Sequence, residues 1–158
     1  VLEIKIPAGI DNGQQLRIPG AGEAGSQGGP SGDLLVVLSV GDHEIFERQE
    51  QNVFCSIPID FPQAALGAKI TVPTLEGKEI ILIPAGTQSG STFRLKGKGI
   101  PKVNGRGRGD QYVSVNVTTP KKLTSEQRKL FEQLSEISPT ENKPLEKKMY
   151  DKVKDIFG

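Results

Sequence analysis

The chain has 158 residues with one cysteine, 5% aromatic residues and a formal net charge of +1. One cysteine excludes an internal disulfide, no apolar run approaches the ~20 residues of a membrane span, and the near-zero charge gives no general attraction to nucleic acid or membranes. The 19 glycines and 11 prolines favour many turns and short strands over a helical bundle.

The first forty residues predict three strands joined by turns. Apolar and polar residues alternate over residues 1–6, and similar patterns at 14–18 and 33–40 predict the second and third strands. Asp11, Asn12 and Gly13 predict the first turn, because Asn and Gly tolerate positive φ.

Residues 41–120 predict a second set of strands after a connector at residues 41–51. One helical turn is expected at residues 62–66, ended by Gly67. The predicted strands cover residues 52–58, 69–73, 78–83, 91–95 and 111–118. The expected fold class is therefore mainly β, with mostly antiparallel pairing.

After Pro120 the periodicity becomes helical. Thr124 and Gln127 match a capping box, and four apolar residues then follow one helical face: Leu130, Phe131, Leu134 and Ile137. A second apolar stripe follows a polar linker and consists of Leu145, Met149, Val153, Ile156 and Phe157. A helix of about 14 residues is marginal alone in water, so this stripe is expected either to form a dimer interface or to dock within its own chain.

An internal duplication organises the chain. Residues 4–40 (copy 1) and residues 81–117 (copy 2) align without a gap at a spacing of 77 positions, as Gly13 and Gly90 illustrate. Copy 2 follows a lead-in at residues 52–77, whereas copy 1 has no such lead-in. The interpretation is two related domains, the first lacking its opening half, in a C-terminal fragment of a longer protein.

The third strand differs between the copies in a way that suggests a binding surface. In copy 2, valines alternate with Tyr112, Ser114 and Asn116, whereas in copy 1 the equivalent outward positions include Leu35 and Val37. An apolar outward face is expected either to be covered by upstream strands or to bind extended apolar segments, and both can hold.

The basic run, the cysteine and the histidine each have a simpler interpretation than a functional site. The basic run from Arg94 to Arg108 suggests a nucleic-acid site as the alternative function, but few aromatic residues accompany it, and a solvated basic face is favoured. An acidic protein partner for this run stays open. Cys55 alternates with apolar residues and predicts a buried inert thiol, while His43 lies in a predicted turn and suggests no catalysis.

Several strings together resemble the C-terminal region of the DnaJ family of J-protein co-chaperones. Copy 1 has Ile-Pro-Ala-Gly ending at Gly9, the glycine string from Gly20 and the Gly-Asp-Leu at residues 32–34. The link around His43 and Phe46, the stretch from Ala65 to Gly77 and the Gly-x-Gly-Ile-Pro at residues 97–101 complete the resemblance, which covers essentially the whole chain.

The resemblance implies two tandem β-sandwich-like domains, the first truncated, followed by short C-terminal helices. The expected divisions are residues 1–42 (second half of C-terminal domain I), 43–120 (C-terminal domain II) and 121–158 (dimerisation helices). The implied client-binding residues are Leu2, Ile4, Leu35, Val36, Val37 and Phe46. The implied dimerisation residues are those of the second apolar stripe.

The implied function is that of a non-enzymatic heat-shock co-chaperone in protein folding and the stress response. Its partners would be unfolded client polypeptides, a seventy-kilodalton heat-shock chaperone of the DnaK class and a second copy of itself. No cofactor is expected, since zinc belongs to a cysteine-rich module absent from this sequence. The implied location is the bacterial cytoplasm, with an organellar matrix as the alternative.

Overall fold

The computed structural model describes residues 1–138 and divides the chain into two compact units, Val1–Thr119 and Pro120–Gly158. The described part is mainly β, with one long helix near its end, which confirms the expected fold class. The boundary expected between residues 42 and 43 stays a prediction, and the second apolar stripe lies outside the described residues.

The strands and helices follow the predicted order except at residues 1–6 and 47–49. They are β1 (Gln15–Ile18), β2 (Leu34–Val37), β3 (Glu47–Gln49), β4 (Asn52–Asp60), α1 (Phe61–Leu66), β5 (Ala68–Thr74), β6 (Gly77–Ile83), β7 (Thr92–Leu95), β8 (Gln111–Thr118) and α2 (Ser125–Ile137). Gly67 ends α1 with φ of 82°, as expected. The predicted capping box of Thr124 and Gln127 is present at the start of α2.

The strands form three sheets. β1 pairs with β2, β5 pairs with β6, and a four-stranded sheet has the order β3-β4-β8-β7. Its central pair, β4 and β8, is parallel over eight residues, from Val53 opposite Gln111 to Asp60 opposite Thr118. This parallel pairing joins segments far apart in sequence, which local alternation does not reveal.

The main core lies between the β5–β6 hairpin and the four-stranded sheet. Hairpin residues Val72, Ile81 and Ile83 form one buried cluster with sheet residues that include Val113 and Val115. Burying such side chains contributes roughly 1.5–3 kcal/mol each relative to exposure. The hairpin and the sheet are thus the two layers of a sandwich.

The duplication predicted from sequence is confirmed by matching hydrogen bonds. Gly13 N–H donates to the carbonyl oxygen of Leu38 at 2.8 Å, and Gly90 N–H donates to that of Val115 at 2.7 Å. The two glycines also share positive φ values of 77° and 89°. Each copy further pairs an arginine with the aspartate that immediately precedes the next strand: Arg17 with Asp33, and Arg94 with Asp110.

The prediction of a strand at residues 1–6 is wrong, because this segment forms no strand. Its equivalent in copy 2, β6, pairs with β5, whereas residues 1–6 pair with no described strand. Alternation alone does not make a strand, because backbone N–H and C=O groups need a ladder partner.

The short strand β3 lies in the region predicted as a connector. It consists of Glu47, Arg48 and Gln49, whose polar side chains give no apolar alternation. Its pairing with β4 depends on the two-residue turn at Glu50 and Gln51, where Glu50 adopts φ of 55°. Neither residue is typical of such a turn, so the hairpin lacked a local signal.

Candidate functional site

Two apolar side chains of β2 lie exposed on one face. Leu35 is 58% and Val37 is 63% exposed, while the alternating Leu34 and Val36 are half-buried. We call the exposed pair the β2 face. The structure thus places two predicted client-binding residues side by side in solvent and a third, Val36, on the opposite face.

One edge of β2 is also open among the described residues. β2 pairs with β1 alone, whereas its equivalent β8 pairs with β7 on one side and with β4 on the other. The backbone N–H of Leu38, just after β2, donates to the carbonyl oxygen of Gln14, just before β1, at 2.9 Å. Because hydrogen-bonding direction alternates along a strand, Leu35 and Val37 direct their backbone groups to the open edge. An extended segment can therefore add there.

The other three predicted client-binding residues lie outside β2. Leu2 is exposed and Ile4 is half-buried in the segment without strand structure. Phe46 packs against the main core, between the β5–β6 hairpin and the four-stranded sheet, with its ring centroid 5.1 Å from that of His43. Phe46 is therefore half-buried, unlike the exposed Leu35 and Val37.

A second apolar surface was not predicted from the sequence. Leu66, Ile80 and Leu82 are 80%, 69% and 65% exposed, and Leu66 and Leu82 line a shallow groove of about 320 Å³ beside Lys69. We call these three residues the hairpin patch. The available signal was the unbroken apolar run from Ile80 to Ile83, which indicates a strand with two apolar faces.

Three of the six cationic residues in the basic run form ion pairs with acidic neighbours in the described part of the chain. Lys98 Nζ lies 2.5 Å from Glu79 Oε1. The other two paired members bind carboxylates as well: Arg94 binds Asp110, and Arg108 binds Glu76. These pairings weaken the nucleic-acid alternative, which depends on free cationic groups meeting phosphates.

Cys55 and His43 are both placed in structural roles. The Cys55 thiol is buried in the core and accepts a hydrogen bond from Gln111 Nε2 at 3.4 Å. His43 Nδ1 accepts the backbone N–H of Ile45 at 3.1 Å and so holds a turn. Across residues 1–138, no three His, Cys, Asp or Glu side chains are grouped to hold a metal ion.

The predicted dimerisation residues all lie between residues 139 and 158, outside the described part. The preceding helix α2 leaves Leu130, Leu134 and Ile137 exposed. Among the helices of residues 1–138, none is long and apolar enough to cross a bilayer.

Comparison with known proteins places these features in a family. The family model described as the DnaJ C terminal domain matches residues 1–120. A protein named Chaperone protein DnaJ from Halothermothrix orenii is 52% identical to this chain, over 99% of this chain and 42% of that protein. A protein of the same name from an Exiguobacterium species is 54% identical, over 99% of this chain and 43% of its own length. A Bacillus mycoides relative of the same name is 58% identical over 85% of this chain and 36% of its own length. This chain, which spans about two fifths of the length of these relatives, belongs to the DnaJ C-terminal domain family.

Proposed function

We propose that this chain binds exposed apolar segments of unfolded polypeptides and acts within a heat-shock co-chaperone that delivers them to a seventy-kilodalton chaperone of the DnaK class. The observation that carries the proposal is the β2 face with its adjacent open edge. Leu35 and Val37 supply apolar contact, and the backbone groups of the same residues supply strand addition. Family membership supports the same role.

Binding of this kind is weak at one site. Two half-exposed side chains contribute at most a few kcal/mol, since complete burial of one such side chain is worth roughly 1.5–3 kcal/mol. Joining two sites in one dimer raises the effective concentration of the second site for a long client. We therefore include a homodimer in the proposal, formed by Leu145, Met149, Val153, Ile156 and Phe157.

The dimer has a direct test in sedimentation. The substitution Val153→Asp places a charge on the apolar stripe and is expected to convert the dimer to monomers. A variant that stays dimeric would show that this stripe docks within its own chain or remains free.

The proposal involves neither catalysis nor a metal, and it places the protein in the bacterial cytoplasm. Removing metals with a chelator is therefore expected to leave both client binding and thermal stability unchanged. A drop in either after chelation would contradict this part of the proposal.

The central test is suppression of aggregation of an unfolded client at low and at high salt. The wild-type chain is expected to suppress aggregation at both, because apolar contact is screened little by salt, and Leu35→Asp/Val37→Asp is expected to lose the effect. The matched variant Ile80→Asp/Leu82→Asp changes two equally exposed residues of the hairpin patch and is expected to retain it.

The outcome of this test shows which surface, if any, binds the client. Loss only in the hairpin variant would move client binding to the hairpin patch. Activity that falls steeply with salt would favour the basic run from Arg94 to Arg108 as the binding surface. No suppression by the wild-type chain would contradict client binding altogether.

A further inference from the structure

An open cleft of about 790 Å³ lies beside the connector that joins the two copies. Its apolar wall includes Val40, Ile45 and Leu75, each at least two-fifths exposed, with Phe46 and Ile100 half-buried beside them. Apolar side chains from three separate segments, around residues 40–46, 75 and 100, thus converge on one concave surface. Such surfaces are typical of ligand and peptide sites.

Hydrogen bonds to the backbone hold the shape of the cleft. His43 Nδ1 accepts the N–H groups of Ile45 and Phe46, and Asn12 Oδ1 accepts the N–H of Val40 at 3.0 Å. Arg48 donates to the carbonyl oxygens of Gly9 and Ile10, at 3.1 and 2.8 Å. A preformed surface loses less conformational entropy on binding.

The charge of the cleft is strongly negative. The carboxylates of its lining belong to Asp11, Asp42, Glu44, Glu47 and Glu50. The guanidinium in the lining, that of Arg48, is already engaged by backbone carbonyls and by Asp11. By contrast, the side chains of Asp42 and Glu44 make no hydrogen bond or ion pair within the described residues, so they are available to a cationic partner.

We infer that this cleft binds extended polypeptide segments that carry basic as well as apolar side chains. The apolar wall favours a partner with aliphatic or aromatic side chains, and the carboxylates select positive charge and repel acidic segments and nucleic acid. The inference rests on the proposed function and adds to it a second site, separate from the β2 face, with a charge preference for clients.

The test uses the full chain and two short labelled peptides with the same leucines, one carrying lysines and the other glutamates. The cleft variant, Asp42→Asn/Glu44→Gln, is compared with a control variant, Glu3→Gln/Glu23→Gln. The control makes the same charge change at exposed residues that do not line the cleft. Fluorescence anisotropy at low salt is expected to show the Kd of the lysine peptide rising about 2- to 10-fold in the cleft variant alone. The glutamate peptide is expected to bind less tightly than the lysine peptide throughout.

Equal effects of the two variants, or none, would overturn the inference, because general surface charge would then explain the preference. Lysine-peptide binding that survives the cleft variant but is lost in Leu35→Asp/Val37→Asp would refute the cleft while leaving the proposed function intact. Failure of both peptides to bind the wild-type chain would refute both. If sedimentation without peptide shows weaker self-association in the cleft variant, a second copy occupies the cleft and the inference is wrong.

Discussion

Oδ2 of Asp110 lies 2.7 Å from Nε of Arg94, and Oδ1 of the same carboxylate accepts the backbone N–H of Gly97 at 2.8 Å. The backbone N–H of Asp110 in turn donates to Asn52 Oδ1 at 2.9 Å. The Gly97 hydrogen bond, aided by the Arg94 guanidinium and opposed by partial desolvation, holds the pKa of Asp110 below its ordinary value. This carboxylate therefore ties the loop after β7 to the start of β8.

The first prediction concerns acid stability. Because the folded pKa of Asp110 is lower than the unfolded one, its contribution to stability is present above the unfolded pKa, about 3.9, and is lost as the pH falls through the folded pKa. We expect Asp110→Asn to lower the free energy of unfolding at pH 7 and to flatten its fall between pH 5 and pH 3. Urea titrations across this range measure both effects, with Glu23→Gln as the control. Parallel curves for Asp110→Asn and wild type would contradict the assignment.

The second prediction compares equivalent glycines of the two copies. A Cβ at Gly109 would overlap the carbonyl oxygen of Gln51, whereas a Cβ at Gly32 would have the carbonyl oxygen of Glu23 as its nearest neighbour, 3.9 Å away. We expect Gly109→Ala to destabilise the protein by about 2 kcal/mol or more. Gly32→Ala is expected to change stability by less than about 1 kcal/mol, because the alanine fits and also restricts the unfolded chain. Equal costs in chemical denaturation would be inconsistent with the different surroundings of the two copies.

The third prediction compares isoleucines with different burial. Ile83 is fully buried, its copy 1 equivalent Ile6 is 56% exposed, and Ile80 on the same strand as Ile83 is exposed. We expect Ile83→Ala to cost about 2–5 kcal/mol because it leaves a cavity. Ile6→Ala and Ile80→Ala are expected to stay within about 0.5 kcal/mol of wild type. A large cost at Ile6, measured by denaturant unfolding, would show that copy 1 buries this position.

The fourth prediction concerns the capping box of α2. Thr124 Oγ1 accepts the Gln127 N–H at 3.1 Å, and Gln127 Oε1 accepts the Thr124 N–H at 2.9 Å. Thr124→Ala is expected to cost about 0.5–2 kcal/mol of helix stability, whereas Thr124→Ser, which keeps the hydroxyl, should cost little. Circular dichroism during thermal unfolding measures the change, and indistinguishable alanine and serine variants would argue against a role for the cap.

Local sequence patterns were sufficient to predict much of the sandwich formed by the β5–β6 hairpin and the four-stranded sheet. Alternation predicted β5, β6 and β8, and Gly67 together with the capping box predicted where two helices end or begin. These features depend on residues within one or two turns of each other, so a single stretch of sequence contains the whole physical cause. The apolar outward face of β2 could be predicted for the same reason.

The sequence by itself also determined the duplication, because matching glycines and aspartates at one spacing require matching turns. Only the tertiary structure decided which strands have partners: it pairs β4 with β8 in parallel, leaves residues 1–6 unpaired and adds β3. It likewise decided that Phe46 packs against the main core and that Val40, Ile45 and Leu75 converge on one acidic cleft. The physical reason is that ladder pairing and cleft formation are contacts between distant segments, whereas hydrophobic alternation reports only which way each side chain faces along its own strand.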